Sequence, residues 1–376
     1  MSNKQLFIAV DPGFDSMKVV ANGIVFKFPF NVVETDERKM TGYRLREDFM
    51  LYQDSNGGTY RVGQYARELV FDNKSRVDSF YTEQRFISEE FQVGLNTAIA
   101  LSIEKNDMCD NQSDLEIYLM VALPHGCRET YAPTIVGLAS GTHKFKLRCG
   151  QGKDNVFRYH IAEKNVCTVS QTIAAILGET SDDIGNVDDE KFFYLSNGPT
   201  LVLDGGYYTM GMVVVSRGGS VDETKTESDT QHAMANVNQL IAEAIKDKRP
   251  DINHYAIEYL LSKDDGIIRY MSDGKATAIN LNELRQSKVQ EICASLIQYL
   301  NDKYNNLLDF KYVLVTGGTG ATFYQQLLDY YSSAGLLDSD HLMLTTGMLD
   351  GKQYPVEYAI TIGAYKGLRG VFSSLN

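Results

Sequence analysis

The sequence predicts an α/β protein built from two related halves, each with a central mixed β-sheet flanked by helices. The chain has 376 residues, more than one hydrophobic core usually organises, so two domains are expected. An apolar strand, an aspartate, a glycine-containing turn and a second apolar strand occur twice, at 8–20 (IAVDPGFDSMKVV) and 200–218 (TLVLDGGYYTMGMVVVSRG). A buried strand, a glycine turn and a helix follow at 312–331 (YVLVTGGTGATFYQQLLDYY).

The composition is that of an ordinary globular protein and disfavours several functions. Apolar residues make up 43% and charged residues 23%, and the net charge is −13. This acidity disfavours direct binding of nucleic acid, and we interpret the one basic stretch, 143–160, as a solvated pair of strands. The five cysteines form no C-x-x-C pair and the six histidines have no metal-binding spacing, so we expect neither disulfides nor a structural metal. No secretory signal, bilayer-length apolar run or amphipathic terminal segment is recognisable, so we expect a cytoplasmic protein without membrane contact.

The remaining elements follow from periodicity and turn residues. In the first half we predict a hairpin at about 6–28, short strands and turns at about 30–80, a helix at 89–105, a strand at 115–124, strands at 143–149 and 155–163, and a small-residue helix at 170–179. The acidic stretch 180–192 is predicted to be a surface loop. In the second half, helical segments at 233–245, 254–261 and 287–304 would cover the sheet.

The first hairpin has two interpretations. Asp-Pro-Gly at 11–13 is ordinary turn chemistry, but Asp11, the turn backbone and Lys18 could instead surround a phosphate. The second hairpin places Asp204 and its turn in the same arrangement. Two such turns facing each other would cradle a polyphosphate with backbone N–H groups, and Asp11 and Asp204 would converge on Mg²⁺, which prefers a few carboxylates, phosphate oxygens and water. The pair of hairpins therefore favours a phosphate site.

The glycine turn at 317–320 fits the same site. Gly317 and Gly318 let the backbone pass close to a ligand, and the helix N-terminus that follows adds partial positive charge. A dinucleotide fingerprint needs a third glycine where Phe323 stands, and no G-x-x-x-x-G-K-[ST] run occurs, so neither a Rossmann motif nor a P-loop is present.

Five segments resemble, in order, the motifs of the actin, sugar-kinase and heat-shock chaperone ATPase superfamily. DPGFDSMK (11–18) resembles the first phosphate motif, LDGGYYT (203–209) the second, VLVTGGTG (313–320) the adenosine motif, and SQTIAAILG (170–178) and PVEYAITIGAYKGL (355–368) the two connecting helices. The spacing, with the runs RVGQYA (61–66) and MVALP (120–124), most resembles the bacterial actin-like plasmid-segregation ATPases of the ParM group.

This resemblance implies an actin-like fold with a nucleotide cleft between the halves. Domain I would comprise 1–170 and 355–376, with a small subdomain at about 30–80, and domain II would comprise 171–354. Small residues would let the connecting helices cross closely and act as a hinge; they are Ala174, Ala175, Ala359, Gly363 and Ala364.

The resemblance also implies roles for single residues. Asp11 and Asp204 would hold Mg²⁺ through water, Lys18 would neutralise phosphate oxygens, and Gln171 would orient the attacking water. We therefore predict Gln171, Asp11 and Asp204 as catalytic; the alternative for Gln171 is a helix-capping or exposed amide. The other predicted nucleotide contacts are Gly13, Phe14, Asp15, Ser16, Gly205, Gly206, Tyr207, Thr209, Gly317, Gly318 and Thr319.

The function that the resemblance implies is an ATPase that binds ATP with Mg²⁺, hydrolyses it to ADP and polymerises into dynamic filaments for plasmid DNA segregation. Its partners would be further copies of itself and a DNA-binding adaptor protein, with no direct contact to nucleic acid. The alternative is a small-molecule, sugar-type kinase of the same fold, for which no hexose pocket or catalytic aspartate motif is recognisable.

Overall fold

The chain divides into two compact units, which we call unit 1 (Met1–Phe192 with Thr346–Asn376) and unit 2 (Phe193–Thr345). The structure, a computed structural model, describes residues 4–36, 47–67, 83–196, 198–263, 266–272 and 274–373. The predicted domains change at 170/171 and 354/355, whereas the units change at 192/193 and 345/346. Within the predicted small subdomain, 37–46 and 68–80 lie outside the described residues.

The described residues form strands and helices in the following chain order. The strands are β1 (Lys4–Pro12), β2 (Ser16–Ala21), β3 (Ile24–Pro29), β4 (Val32–Glu34), β5 (Met50–Gln53), β6 (Thr59–Val62), β7 (Leu115–Leu123), β8 (Gly141–Cys149), β9 (Asn155–Ile161), β10 (Val166–Ser170), β11 (Thr200–Gly205), β12 (Met210–Val215), β13 (Glu227–Asp229), β14 (Ile267–Ser272), β15 (Lys275–Asn280), β16 (Tyr312–Thr316), β17 (Leu342–Leu344), β18 (Gly347–Leu349) and β19 (Lys352–Tyr354). The helices are α1 (Glu89–Lys105), α2 (His125–Ala139), α3 (Gln171–Thr180), α4 (Asp189–Ser196), α5 (Met234–Ile245), α6 (His254–Lys263), α7 (Leu281–Lys303), α8 (Gly317–Ser333) and α9 (Ala359–Ser373).

Unit 1 is organised around a five-stranded sheet in the order β10-β7-β1-β2-β3. β1 pairs antiparallel with β2 and parallel with β7, and β7 pairs parallel with β10. β1 is buried from Leu6 to Pro12, because α1 and α9 both pack on this sheet, which accounts for its continuous apolar run. The carboxyl end of β1 carries Asp11.

A second five-stranded sheet in unit 1 has the order β4-β6-β5-β8-β9 and is antiparallel throughout. Along β8 and β9 the side chains alternate between buried and exposed, the period expected when one face of a sheet packs on the core and the other meets water. The strands predicted at 143–149 and 155–163 are confirmed. Their pairing with the sheet of β4 to β6 was not predicted, since nothing local in the sequence encodes it.

Unit 2 repeats the topology of the first sheet of unit 1. Its sheet has the order β13-β12-β11-β16-β17, in which β11 pairs antiparallel with β12 and parallel with β16, and β16 pairs parallel with β17. Side chains from α5, α7 and α8 complete its core, including Ile241, Leu300 and Phe323. The prediction of two related halves, each with a mixed sheet flanked by helices, is confirmed. β14 and β15 form a separate two-stranded ribbon.

The two connecting helices, α3 and α9, pack on each other within unit 1. A Cβ placed on Gly363 would lie 1.8 Å from the carbonyl oxygen of Ala174 and 2.7 Å from the amide nitrogen of Gly178, so the helix backbones touch at this point. Lys366, which is 4% exposed, donates to the carbonyls of Gly178 (3.0 Å) and Ser181 (2.9 Å), the last acceptors of α3. A cation at this end also complements the helix dipole.

Most predicted helices are found where periodicity placed them, and one predicted loop is partly wrong. α1 spans the predicted 89–105. The stretch 180–192, which we predicted to be a loop, contains the start of α4 at Asp189. Asp188 accepts from the backbone N–H groups of Glu190 and Lys191, and the acidic first turn suits a helix N-terminus. In the described part of the chain, no helix has both the length and the apolarity needed to cross a bilayer.

Candidate functional site

The first predicted phosphate turn joins β1 to β2 in unit 1. Asp11 is 2% exposed and pairs across the hairpin with Lys18. A Cβ on Gly13 would lie 3.0 Å from the Ser16 carbonyl oxygen and 3.2 Å from Lys18 Nζ, so a larger residue would crowd the lysine. The turn therefore holds its backbone close to a cationic side chain, as a phosphate-binding loop requires.

Asp11 is shared by two of the other predicted site residues. Lys18 Nζ donates to Asp11 Oδ2 over 3.1 Å, and Gln171 Nε2 donates to Asp11 Oδ1 over 2.8 Å. Gln171 is the first residue of α3, whose N-cap Ser170 accepts from the Ile173 amide, so its position is set by a capped helix end. With its nitrogen turned to Asp11, the Gln171 amide presents its oxygen as an acceptor that can bind water.

Two arginines that were not predicted from the sequence contact the turn between β1 and β2. Arg67 pairs with Asp15. The Arg85 guanidinium, which is buried, donates to the Pro12 carbonyl over 2.9 Å and stacks on the Phe14 ring at 3.8 Å. Predicted contacts at Phe14 and Asp15 thus have structural partners here, and the buried Ser16 begins β2. No sequence pattern marks either arginine, because each acts on a turn more than 50 residues away.

The second predicted phosphate turn joins β11 to β12 in unit 2, after Asp204. The Gly206 amide donates to the Thr209 carbonyl over 2.8 Å and closes a tight turn. The Tyr207 carbonyl accepts from the Ala235 amide at the start of α5, and the Tyr207 hydroxyl accepts from Asn238 Nδ2 over 3.1 Å. The turn is therefore fixed to α5, with Asp204 at the end of its strand.

The glycine turn before α8 interlocks with this second turn. A Cβ on Gly205 would lie 2.1 Å from the Gly320 amide nitrogen, and one on Gly317, at φ +78°, would lie 2.4 Å from the Gly205 carbonyl oxygen. Thr319 Oγ1 donates to the Gly206 carbonyl over 2.6 Å. Only glycine fits these approaches, so the motifs at 203–209 and 317–320 form one rigid backbone surface.

The N-terminus of α8 is suited to bind an anion. The hydroxyl of its N-cap, Thr316, makes no capping hydrogen bond to the helix and instead accepts from Thr345 Oγ1 over 3.0 Å. The first backbone N–H groups of an α-helix have no partner inside the helix and carry the positive end of its dipole. A Cβ on Gly318 would meet open space, so this end of the helix is accessible.

The carboxylate at each of the two turns is a type of group that binds a hydrated divalent cation. Each unit supplies one carboxylate at its turn, Asp11 in unit 1 and Asp204 in unit 2. Nowhere in the described part of the chain do three or more His, Cys, Asp or Glu side chains gather as a potential metal site. A cation bound at either carboxylate would take most of its ligands from water and phosphate, which is the preference of Mg²⁺.

Comparison with known proteins identifies the fold. Neither the protein-family models nor the curated proteins contain a significant sequence match. Solved structures match over nearly the whole chain, and they show that the protein has the actin-like fold, as predicted.

Three of these structures illustrate the extent of the match. The actin-like protein Alp7A gives a TM-score of 0.71 at 13% identity, covering 99% of this chain and 98% of that chain. A 15-stranded ParM filament from Clostridium botulinum gives 0.67 at 17% identity, covering 96% and 98%. ParM from Bacillus thuringiensis, solved with ADP, gives 0.62 at 12% identity, covering 97% and 98%.

Proposed function

We propose that the protein is an actin-like ATPase that binds ATP with Mg²⁺ between its two units and assembles into dynamic filaments. One observation carries this proposal: Lys18 and Gln171 both contact Asp11, which lies at the turn of the β1–β2 hairpin. Unit 2 repeats this hairpin as β11 and β12, with Asp204 at the end of β11. The fold supports it, because one protein of this fold was solved with ADP and another as a filament.

The turns would bind the phosphates of ATP. Lys18 brings a point charge to the turn after β1, and the N-terminus of α8, with the backbone of Gly205 and Gly206 packed beside it, supplies N–H donors from unit 2. Asp11 and Asp204 would hold Mg²⁺ through water, and the metal would supply charge neutralisation at the phosphate oxygens. The remaining predicted contacts lie in the two hairpin turns and at the start of α8; they are Gly13, Phe14, Asp15, Ser16, Tyr207, Thr209, Gly317, Gly318 and Thr319.

Gln171 would act on the attacking water. An amide does not take up a proton near neutral pH, so it positions the water and does not serve as a base. Its nitrogen is fixed by Asp11, and its oxygen would accept a hydrogen bond from the water. The water oxygen would then bond to the terminal phosphorus of ATP while the bond from that phosphorus to the bridging oxygen breaks. The proton lost by the water would pass to a phosphate oxygen or to bulk water, which yields ADP and phosphate.

Assembly would use further copies of the same chain. A head-to-tail contact between two different surfaces does not close on itself and produces an open helical polymer. We also propose, from the resemblance to plasmid-segregation ATPases, that a separate DNA-binding adaptor links the filament to plasmid DNA. The net charge of −13 favours such an indirect link over direct contact with DNA.

Gln171→Ala tests the proposed chemistry. Nucleotide binding should persist, because the amide is assigned to the water, while hydrolysis should slow by about 10- to 1000-fold, or roughly 1.4 to 4 kcal/mol of barrier. Filaments formed with ATP should therefore last longer. Phosphate release and light scattering would be followed on one sample, with Gln151→Ala in the exposed turn after β8 as the control. Parent-rate phosphate release would remove Gln171 from this role.

Asp204→Ala tests the proposed metal site. Metal-dependent nucleotide binding or turnover should be lost, and unchanged values would contradict the central proposal. In the parent protein, ATP or a non-hydrolysable analogue should raise light scattering with protein concentration. Flat scattering at high concentration, together with ATP turnover that depends on an added sugar or other small acceptor, would favour the small-molecule kinase instead.

A further inference from the structure

The outward face of β8 and β9 carries positive charge on an acidic protein. Lys144, Lys146 and Arg158 are exposed there, with Val156, which is 53% exposed, among them; we call these four residues the basic face. In the strand register Lys144 lies directly opposite Arg158, and Lys146 lies opposite Val156. The basic stretch of the sequence is thus gathered on one surface of unit 1.

This arrangement costs stability. Like charges directly opposite each other on neighbouring strands repel, whereas an opposite charge at either position would attract. Among the described residues no salt bridge reaches Lys144, Lys146 or Arg158, and the carboxylate of Asp154 pairs with Arg148. Solvation alone does not require two cations at facing positions, so their presence points to a binding partner with negative charge.

A second copy of the chain offers a matching surface. Residues 182–190, which we call the acidic segment, carry Asp182, Asp183, Asp188, Asp189 and Glu190. Within it Ile184 is 52% exposed and Val187 is 40% exposed. The acidic segment therefore combines negative charge with exposed apolar side chains, as the basic face combines positive charge with Val156.

We propose that the basic face of one copy docks on the acidic segment of the next copy in the filament. This inference rests on the proposed function, since it assigns one contact of the polymer. The two surfaces differ, so the contact is heterologous and can repeat without closing. Because the charged side chains are exposed, the contact should weaken as salt is raised from about 0.05 to 0.5 M.

Charge reversal on each surface provides the test. Lys144→Glu/Arg158→Glu and Asp189→Lys/Glu190→Lys should each raise the critical concentration for ATP-dependent pelleting about tenfold, because two attractions per contact become repulsions. An equimolar mixture of the two variants should pellet near the parent's critical concentration, since each variant's altered surface then meets the other's. Lys246→Glu/Lys248→Glu, on exposed residues at the end of α5, carries the same charge change and should leave pelleting unchanged.

The basic face also predicts opposite effects on folding and assembly. Lys144→Glu alone places a carboxylate opposite Arg158, so it should raise the melting temperature while weakening assembly. Lys144→Glu/Arg158→Glu keeps like charges opposite each other, so its melting temperature should match that of the parent. Melting followed by circular dichroism also confirms that each variant is folded.

Four results would overturn the inference. If the parent pellets with ATP and Lys144→Glu/Arg158→Glu pellets at the same concentration, the contact is wrong and the proposed function stands. If the mixture of the two variants does not recover pelleting, the two surfaces are not partners. If the parent binds a 30-base-pair DNA duplex at about 0.1 M salt and Lys144→Glu/Arg158→Glu does not, the basic face binds nucleic acid instead. A parent that never assembles would overturn the proposed function itself, and this contact with it.

Discussion

Gly363→Ala should destabilise unit 1 strongly, because it separates the two connecting helices. The added Cβ would lie 1.8 Å from the Ala174 carbonyl oxygen, where ordinary contact begins at 3.4 Å, so α3 and α9 must move apart by more than 1 Å. The three atoms in the way, which are the Ala174 carbonyl oxygen and carbon and the Gly178 amide nitrogen, all belong to backbone and cannot rotate aside. Overpacking of this kind costs about 3 kcal/mol or more, which corresponds to a melting temperature roughly 6–12 °C lower for a unit of this size.

The same displacement should reach the candidate site. Gln171 begins α3, and its contact with Asp11 is 2.8 Å long, so a shift of 1 Å breaks this hydrogen bond. Gly363→Ala should therefore lower ATP hydrolysis below the melting transition as well. Gly137→Ala in α2 is the matched control, because its Cβ meets open space and should stabilise the helix slightly. Melting of Gly363→Ala within 2 °C of the parent would refute the reasoning.

Other contacts give further expected outcomes. Lys366→Met leaves the carbonyls of Gly178 and Ser181 without their donor and should cost about 1–3 kcal/mol, measured by urea unfolding at pH 7; an unchanged midpoint would contradict the capping role. Burial raises the pKa of Asp229, but hydrogen bonds from His232 and from backbone N–H groups outweigh it, so the pKa lies below the ordinary 3.8. Because the folded state favours the ionised carboxylate, Asp229 stabilises the fold above pH 3.8, and this stabilisation is lost as the pH falls below that value. The free energy of unfolding, measured with urea, should thus be lower for Asp229→Asn than for the parent at pH 6, and the two should differ less at pH 3. An equal difference at both pH values would argue against the pKa shift.

Local patterns in the sequence predicted the elements that depend on local physics. The Asp-containing hairpins at 8–20 and 200–218 alternate apolar strands with turn residues, so both could be placed without any tertiary information. α1 was placed to the residue, because its apolar positions recur with helical spacing and Ser88 caps it. The start of α4 was missed, because the capping role of Asp188 was outweighed by the polar composition around it.

Contacts between distant residues were harder to predict. Asp11 and Gln171 lie 160 residues apart, and only the family resemblance assigned both to one site; their hydrogen bond itself was not predicted. The contacts of Arg67 and Arg85 with the turn after β1 were not predicted. Arg85 is buried and stacks on Phe14, and a single sequence carries no signal of such a contact. The sheet that joins β5 to β8 was missed for the same reason, because antiparallel pairing of distant strands leaves no signal in either strand alone.

The return of the chain to unit 1 has a consequence for synthesis on the ribosome. α9 packs on β1, β7 and α3, yet all of residues 193–345 are made between α3 and α9. At 5 to 20 residues per second this interval lasts about 8–30 s, during which the first sheet of unit 1 lacks one of its covering helices. Until α9 is made, the side of β1 that α9 covers in the folded protein has no packing partner there, so this apolar surface stays open to chaperones throughout the interval.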